Sequence, residues 1–431
     1  MDTELNRIET EYRFGKLNAH LILIVCSLLY MVNYMDRQVL SVVQESMKLE
    51  LGLSDTQVGI IQTLFLMGMA FFSLPVAYMV DRWSRKKAIG LMAIIWSAFT
   101  FITGLGRSFL GVLLPRLMVG VGEAGFSSGG TPLITAAYPE RLRSTVMGVF
   151  NIVIPLGAAI GVMGGGYLSA NCGGWRTPFY VFAVPGLVFG IAAFFLKDYR
   201  TVKIDNFSGK GKSFLQYSVS LFKIPSLRWL YFGYAIMQIM TFSFFVWVPS
   251  FLIRSHNIGE DRAGLEIGVI GLVAIIGALA GGLITDRWQK RNRRARMLYP
   301  AIIVPVSAAF YIMAIYLDFR GIGYVFAVLF GILAISAIGP LTSVTQDVVA
   351  PDSRGIAWGM NVMTQYLLGG GWAPFLVGLL SDRLGGGAYG LKVSLIIGAC
   401  TGFVAGILFL VSSKYYPADR ASVNDYDLEI E

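Results

Sequence analysis

A charged stretch, DRWSRKK at residues 81–87, decides the fold class because it recurs. The stretch DRWQKR at residues 286–291 repeats it in the second half of the chain. A second motif recurs in the same order: YPERLRS at residues 138–144 is followed by APDSRG at residues 350–355. Two motifs that recur in register indicate a duplicated structural unit.

The sequence between these charged stretches is long and apolar. The 431-residue chain is 55% hydrophobic and only 14% charged, with a mean hydropathy of +0.64. A membrane-spanning helix needs about 20 mostly apolar residues, and the chain has twelve such runs. The sequence lacks the alternating segments of ~10 residues that are typical of a transmembrane barrel. It therefore predicts an all-α membrane protein with twelve transmembrane helices in two six-helix pseudo-symmetric halves.

The predicted spans and domains follow from these runs. The spans cover residues 18–45, 54–80, 88–107, 109–137, 144–170, 176–196, 227–255, 262–285, 297–317, 321–349, 355–381 and 389–413. The predicted parts are a cytoplasmic N-terminal segment (1–17), an N-terminal bundle (18–196), a cytoplasmic linker (197–226), a C-terminal bundle (227–413) and a cytoplasmic tail (414–431).

Charge distribution predicts the orientation. The net charge is +9, which could suggest nucleic acid as a partner. However, most Lys and Arg residues lie in the two termini and in alternate connections, as the positive-inside rule describes. We therefore expect both termini to be cytoplasmic, in a bacterial inner membrane, with membrane lipids rather than nucleic acid as neighbours. Three scattered cysteines and two histidines predict no metal site and no cofactor.

The recurring turns resemble the loop signature of the major facilitator superfamily, G-x-x-x-D-R-x-x-R-K. The second copy keeps its glycine at Gly282, whereas the first has Ala77. The fourth span resembles the superfamily's R-x-x-x-G-x-G pattern through Arg116, Gly120 and Gly122. The resemblance covers essentially the whole chain and implies a transporter, not an enzyme.

Three stretches narrow the resemblance to the Spinster branch: NYMDRQ at residues 33–38, RLMVGVGEAGFSS at 116–128 and FNIVIPLGAAIG at 150–161. Animal Spinster transporters move lysophospholipids or sphingosine phosphates, and bacterial relatives are thought to be proton-coupled. The resemblance thus implies a proton-coupled secondary active transporter that works by alternating access on an amphiphilic, lipid-like substrate. A carrier of a small organic anion and a drug-type exporter are the alternatives.

Ionisable residues inside the predicted spans are the candidate proton-coupling and substrate site. Asp36 lies within an apolar run, where a charge costs roughly 2.5–3.5 kcal/mol on insertion scales. Arg116 and Glu123 in the fourth span are seven residues apart, so they share one helix face. We expect Asp36, Arg116 and Glu123 to face a shared cavity. Arg37, about 100° round the helix from Asp36, is expected either to snorkel or to pair locally with Asp36.

A second predicted site is a cytoplasmic gate at the recurring turns. A carboxylate after the second span can accept bonds from the N-terminus of a neighbouring helix, and the superfamily's pattern makes that neighbour the eleventh span. Arginines beside it can bind carboxylates or lipid phosphates. The predicted gate residues are Asp81, Arg82, Arg85, Arg143, Asp286, Arg287 and Arg354.

The second half lacks the charges of the fourth span. When Arg143 is aligned with Arg354, Ala327 aligns with Arg116 and Ala334 with Glu123. Gly331 aligns with Gly120. A cavity that is charged on one side and aromatic on the other would suit an amphiphile. The candidate cavity-lining residues are Asn33, Tyr34, Ser127, Asn151, Gln238, Thr241, Trp247, Asn361, Gln365 and Trp372.

The fifth span carries Pro155 and glycines at 157, 161 and 165. Glycines four residues apart let another helix approach closely, and proline favours a bend. The run is similar to the proline-glycine motif of superfamily exporters and favours export; a soft helix pair between the two halves is the alternative interpretation.

Other functional classes are disfavoured. The stretch GKGKS at residues 209–213 lacks the spacing of a nucleotide-binding loop, which argues against an ATP-driven pump. The duplicated halves and the lack of charge rings in the sequence argue against a channel. A monomer is expected.

Overall fold

The computed structural model describes residues 12–199, 220–350 and 354–423. Within these ranges the side chains of residues 74, 77, 81, 82, 140 and 144 are not described. These ranges contain helices and connections and no strand. The helices are α1 (Lys16–Leu51), α2 (Asp55–Arg82), α3 (Arg85–Gly104), α4 (Phe109–Glu123), α5 (Phe126–Ala137), α6 (Glu140–Asn171), α7 (Thr177–Ala193), α8 (Pro225–His256), α9 (Glu260–Gln289), α10 (Ala295–Tyr316), α11 (Ile322–Ser336), α12 (Ile338–Asp347), α13 (Arg354–Leu368), α14 (Ala373–Arg383) and α15 (Gly387–Ala421).

The twelve predicted spans correspond to these helices, which confirms the predicted fold class. In the described residues, ten spans are long and apolar enough to cross a membrane, two of which are the joined pairs α4–α5 and α11–α12, and α7 is a shorter apolar helix. Three predicted spans are broken: the fourth into α4 and α5, the tenth into α11 and α12, and the eleventh into α13 and α14 around a short 3-10 turn.

Local sequence explains where the first helices end and begin. Gly52 ends α1 in the left-handed conformation (φ 62°), which glycine adopts without steric cost. Ser54 then caps α2 through a reciprocal capping box with Gln57. Ser84 and Ser108 cap α3 and α4 in the simpler way, each accepting a backbone N–H three residues on.

The chain forms two compact units. The first comprises Met1–Lys203 and Val248–Leu272, and the second comprises Ile204–Trp247 and Val273–Glu431. The end of α8 and the first part of α9 thus belong to the first unit. The domain bounds predicted from the sequence stay predictions.

In the first unit, the glycine stripe of α6 packs against α1. A Cβ atom at Gly157 would collide with the carbonyl of Met31, and one at Gly161 would lie 2.6 Å from the carbonyl oxygen of Met35. A Cβ at Gly165 would lie 2.9 Å from Val39. The stripe therefore lets α1 pack closely against α6. Helix α6 continues without a break through Pro155. The stripe itself contacts α1, whereas the interpretation of the fifth span as a soft helix pair between the two halves stays a prediction.

In the second unit, buried aromatic rings fill the space between α8, α10 and α11. The ring of Phe330 lies 4.5 Å from Phe244 and 4.8 Å from Tyr311, centroid to centroid. All three side chains are fully buried. Close-packed rings of this kind contribute stabilisation beyond the area that they bury.

Candidate functional site: a buried ionic cluster on α1 and α4

The ionisable residues of the predicted coupling site lie together in the first unit. Asp36 on α1 and Arg116 and Glu123 on α4 are at most 2% exposed. The seven-residue spacing on α4 keeps Arg116 and Glu123 on one face, as the helix period requires. Gly120 lies between them, where a Cβ atom would collide with the carbonyl of Phe65 on α2. The glycine therefore lets α2 pack closely beside this face.

Asp36 is held from two sides. Its Oδ2 atom accepts a hydrogen bond of 2.9 Å from the hydroxyl of Thr100 on α3. Its backbone carbonyl accepts a bond of 3.1 Å from Nη1 of Arg116, while its carboxylate interacts electrostatically with both Arg116 and Glu123. Arg116 also lies over the ring of Phe179, 5.0 Å from the centroid. The guanidinium thus contacts the backbone of α1 rather than forming a bidentate pair with Asp36.

Arg37 pairs with Glu123. Its Nε atom donates a 2.8 Å hydrogen bond to Oε2 of Glu123, and its guanidinium lies 4.7 Å above the ring of Tyr34. The expectation that Arg37 snorkels or pairs with Asp36 was therefore wrong. Neighbouring residues on a helix point about 100° apart, and this rotation turns Arg37 towards α4. The cluster thus contains two carboxylates and two guanidinium groups.

Several polar atoms of this cluster have no hydrogen-bond partner among the described residues. They are Oδ1 of Asp36, Nε and Nη2 of Arg116 and Oε1 of Glu123. A buried donor or acceptor without a partner costs about 1–3 kcal/mol. The cluster therefore contains buried donors and acceptors that could still form hydrogen bonds with a proton carrier, water or a substrate.

Sequence analysis missed Thr100. A threonine in an apolar helix commonly bonds to its own backbone, as Thr103 does to the carbonyl of Phe99, so its presence alone is no signal. Only the packing of α3 beside α1 reveals that its hydroxyl reaches Asp36.

The predicted gate residues have diverse partners. Arg143 donates a 3.0 Å bond to the carbonyl of Thr135 at the end of α5. Arg85 is buried with its guanidinium 4.5 Å from the ring centroid of Tyr199.

In the second unit, Asp286 pairs with Arg296 at 3.0 Å, whereas Arg287 and Arg354 are exposed. The side chains of Asp81 and Arg82 lie outside the described part of the chain. The gate role of the seven residues stays a prediction.

The candidate cavity-lining residues differ widely in exposure. Asn33 lies beside Glu123 and is buried, as are Asn361 and Gln365. Tyr34, Gln238 and Thr241 are half-buried, and Ser127, Asn151 and Trp372 are exposed.

Two of the tryptophans have backbone partners. Trp247 is fully buried and donates its indole N–H to the carbonyl of Pro374 at 3.1 Å. Trp372 donates to the carbonyl of Leu367 at 2.8 Å. Trp247 therefore packs α8 against α14, a role that aromatic residues in transmembrane helices commonly have.

Comparison with known proteins places the chain in a family. The family model described as Major Facilitator Superfamily matches residues 26–374. The chain belongs to that superfamily. Membership identifies it as a transporter, not an enzyme, with a multi-pass membrane setting and a transported substrate.

Three of the similar proteins carry different names. Protein spinster homolog 1 of Xenopus tropicalis is 26% identical, and the alignment covers 93% of this chain and 82% of the relative. An MFS-type efflux pump of Mycolicibacterium smegmatis is 26% identical over 96% of this chain and 97% of the relative. The hexuronate transporter of Bacillus subtilis is 25% identical over 82% of this chain and 86% of the relative.

A solved structure agrees with the fold. The inward-facing, unoccupied crystal structure of a bacterial homolog of the human lysosomal transporter Spinster has a TM-score of 0.83. It is 22% identical and covers 94% of this chain and 99% of its own. The two chains therefore share the same fold, and the sequence similarity to Protein spinster homolog 1 agrees with the resemblance to the Spinster branch.

Proposed function

We propose that this superfamily member is a proton-coupled secondary active transporter that works by alternating access. The observation that carries the proposal is the buried cluster of Asp36, Arg37, Arg116 and Glu123. Ionisable residues inside membrane-spanning helices are costly and typically mark proton or substrate pathways.

Charge balance supports the coupling role. With all four groups ionised, two carboxylates offset two guanidinium groups. One proton taken up by Asp36 or Glu123 leaves the cluster with a net positive charge. A guanidinium released from its carboxylate can then bind an anionic substrate group in bidentate fashion. Proton binding and substrate binding would thus be linked through the same four side chains.

A purely structural ion network is the alternative interpretation. Such a network is expected to satisfy its own hydrogen bonds, because a buried charge pair stabilises a fold only when its remaining donors and acceptors have partners. The unused atoms of Asp36, Arg116 and Glu123 favour a site that binds something during its working cycle.

We propose an amphiphilic substrate of the lysophospholipid or sphingoid type, with an anionic or zwitterionic head. The proposal rests on the Spinster resemblance and on the contrast between the charged first unit and the aromatic second unit. The hexuronate transporter relative favours a small organic anion as the alternative, and the efflux-pump relative favours a drug-type exporter.

The membrane setting is also a proposal. We propose a monomer in a bacterial inner membrane with both termini in the cytoplasm, where most of the Lys and Arg residues would then lie. The predicted gate residues would close the cytoplasmic side. Labelling of single cysteines from either side of the membrane would test this orientation.

Flux into liposomes tests the function. The native protein is reconstituted with an imposed pH gradient of either direction, and the flux of a lysophospholipid is measured beside that of hexuronate. We expect gradient-driven lysophospholipid flux in the native protein. We expect Asp36→Asn to abolish its dependence on the gradient, because an amide cannot exchange a proton near neutral pH.

A matched variant controls for loss of a carboxylate as such. Asp318→Asn removes the exposed partner of Lys392 and should transport as the native protein does. Hexuronate flux without lysophospholipid flux would mean that the substrate is a small organic anion rather than a lipid. Flux that still depends on the pH gradient in Asp36→Asn would overturn the coupling role of Asp36.

A further inference from the structure

Trp96 and Ser97 lie next to each other within α3, in the first unit. Both side chains are fully buried. The indole N–H of Trp96 and the hydroxyl of Ser97 have no hydrogen-bond partner among the described residues. A buried tryptophan N–H usually finds a partner, and a buried polar group without one costs about 1–3 kcal/mol. Two such groups side by side are therefore a costly arrangement in an apolar helix.

Comparable buried residues of the same protein show the usual arrangement. Trp247 donates its N–H to the carbonyl of Pro374 at 3.1 Å, and Trp175 donates its N–H to Glu50 at 2.8 Å. On α3 itself, the buried hydroxyl of Thr103 bonds to a carbonyl of its own helix. The lack of partners is thus particular to Trp96 and Ser97 and is not a general property of the buried polar groups.

Both polar groups lie at Gly186 on α7. A Cβ atom at Gly186 would collide with Oγ of Ser97 and lie 3.4 Å from Nε1 of Trp96. Helix α7 therefore presents only backbone where the two polar atoms converge. One turn further along α7, a Cβ atom at Gly190 would instead meet the methyl group of Ala93 at 3.0 Å. We call the place bounded by Trp96, Ser97 and Gly186 the α3–α7 niche.

The niche adjoins the ionic cluster through two helices. On α3, Thr100 lies four residues, or about 6 Å along the axis, from Trp96 and donates its hydroxyl to Oδ2 of Asp36. On α4, a Cβ atom at Gly122 would lie 3.1 Å from the backbone nitrogen of Trp96, and Glu123 is the next residue. Oδ1 of Asp36 and Oε1 of Glu123 have no hydrogen-bond partner among the described residues. Unused donors and unused acceptors therefore lie on neighbouring turns.

Water matches the chemistry of the niche. A buried water typically makes about three hydrogen bonds to buried polar groups that lack other partners. It can accept a bond from the N–H of Trp96, bond to the hydroxyl of Ser97 and donate towards a carboxylate. An anion would be repelled by Asp36 and Glu123, and a cation would meet the N–H of Trp96, which is a donor. Water is the ligand that suits both the donors and the nearby carboxylates.

We propose that the α3–α7 niche holds ordered water that relays protons to and from the carboxylates of Asp36 and Glu123. A proton that joins the water on one side is balanced by a proton that leaves it on the other, so no charge stays in the niche. Chains of such groups form proton relays inside membranes. The relay rests on the proposed proton coupling. It lets protons reach the cluster from α3 and α7, while the partly exposed Arg37 receives the substrate.

Radiolytic footprinting of the native protein in nanodiscs tests the water site without substrate or pH gradient. X-rays turn water into hydroxyl radicals, which oxidise a fully buried side chain where water lies against it. We expect Trp96 to be oxidised at least fivefold faster than Trp247, although both are fully buried. Gly186→Ala puts a methyl group into the niche and should slow the oxidation of Trp96 at least threefold. Gly190→Ala puts its methyl group against Ala93 and should leave the rate unchanged.

Proton movement in proteoliposomes tests the relay. Trp96→Phe keeps an aromatic ring beside Phe126, whose centroid is 5.5 Å away, but removes the N–H. We expect Trp96→Phe and Ser97→Ala to slow the proton movement that accompanies lysophospholipid at least threefold. Exchange of labelled lysophospholipid, which needs no net proton transfer, should keep its native rate and shows that the variants are folded. Thr103→Val removes a buried hydroxyl that bonds to its own helix and should change neither rate.

The outcomes separate the niche from the proposed function. Equal oxidation of Trp96 and Trp247 in the native protein would overturn the water site, even if transport is coupled to protons. Proton movement of native rate in both Trp96→Phe and Ser97→Ala would overturn the relay. Fast oxidation of Trp96 in a native protein that moves no protons would support the water site and overturn the coupling on which the relay rests.

Discussion

The cluster on α1 and α4 and the aromatic core between α8, α10 and α11 occupy related places in a duplicated chain but hold opposite chemistry. In the first unit, Arg116 and Glu123 are buried with their charges. At the aligned positions of the second unit, Ala327 and Ala334 are buried among apolar residues. The repeat has kept a glycine at both sites, Gly120 and Gly331, without keeping the charges.

This difference teaches that the fold itself needs no ionic cluster. The second unit fills the equivalent region with rings, which pack without hydrogen-bonding demands. The first unit buries Asp36, Arg116 and Glu123 and leaves some of their polar atoms without hydrogen-bond partners, which is the more costly arrangement. A costly arrangement that occurs in one unit only is expected where that unit binds protons or substrate.

The largest effect should come from Ala327→Arg, which copies Arg116 into the second unit. Ala327 is fully buried in an apolar helix, so a charge placed there would have to be desolvated. We expect a loss of about 3 kcal/mol or more in the free energy of unfolding, measured in detergent, or failure to accumulate. Ala327→Met controls for size and should cost less. Equal stability of the two variants would contradict the contrast between the units.

A smaller effect should come from the pair of Arg37 and Glu123. A double-mutant cycle with Arg37→Gln and Glu123→Gln isolates their coupling in the free energy of unfolding. We expect about 1–3 kcal/mol, because the pair is buried and its members are in direct contact. The cycle with Arg176 and Glu50, an exposed pair, should give less than about 1 kcal/mol. Equal coupling in both cycles would mean that burial does not strengthen the first pair.

An effect of similar size should come from the glycine stripe of α6. Gly161→Ala places a Cβ atom 2.6 Å from the carbonyl oxygen of Met35, next to Asp36. The forced separation of α6 from α1 should cost about 1–3 kcal/mol of stability. Gly148→Ala on the same helix meets open space and should be neutral or slightly stabilising. An equal loss of stability in Gly161→Ala and Gly148→Ala would show that close packing of α1 on the stripe does not contribute to stability.

Much of the fold was predictable because the membrane constrains it strongly. Long apolar runs must form helices in lipid, so most spans could be placed within a few residues, although α1 and α15 extend six and eight residues beyond their predicted ends. The breaks within three of them could not be placed. The break between α4 and α5 falls at Ala124 and Gly125 inside an apolar run, where only tertiary packing decides the local backbone.

Part of the site was predictable for the same reason. Asp36, Arg116 and Glu123 had to face one another because lipid would not solvate them. The pairing of Arg37 with Glu123 depends on the rotation of α1 against α4, which the sequence does not reveal. The pairing of Arg254 on α8 with Glu45 on α1 was not predicted, because both residues lie at the ends of predicted spans.

Proton movement in proteoliposomes is the most direct test of the claim that the α1–α4 cluster couples transport to protons. A pH indicator inside the vesicles records the response when a lysophospholipid is added in the absence of an imposed gradient. The native protein should move protons with the substrate, and so should Asp318→Asn. Asp36→Asn should still exchange labelled lysophospholipid but move no protons. Proton movement of native size in Asp36→Asn would contradict the account.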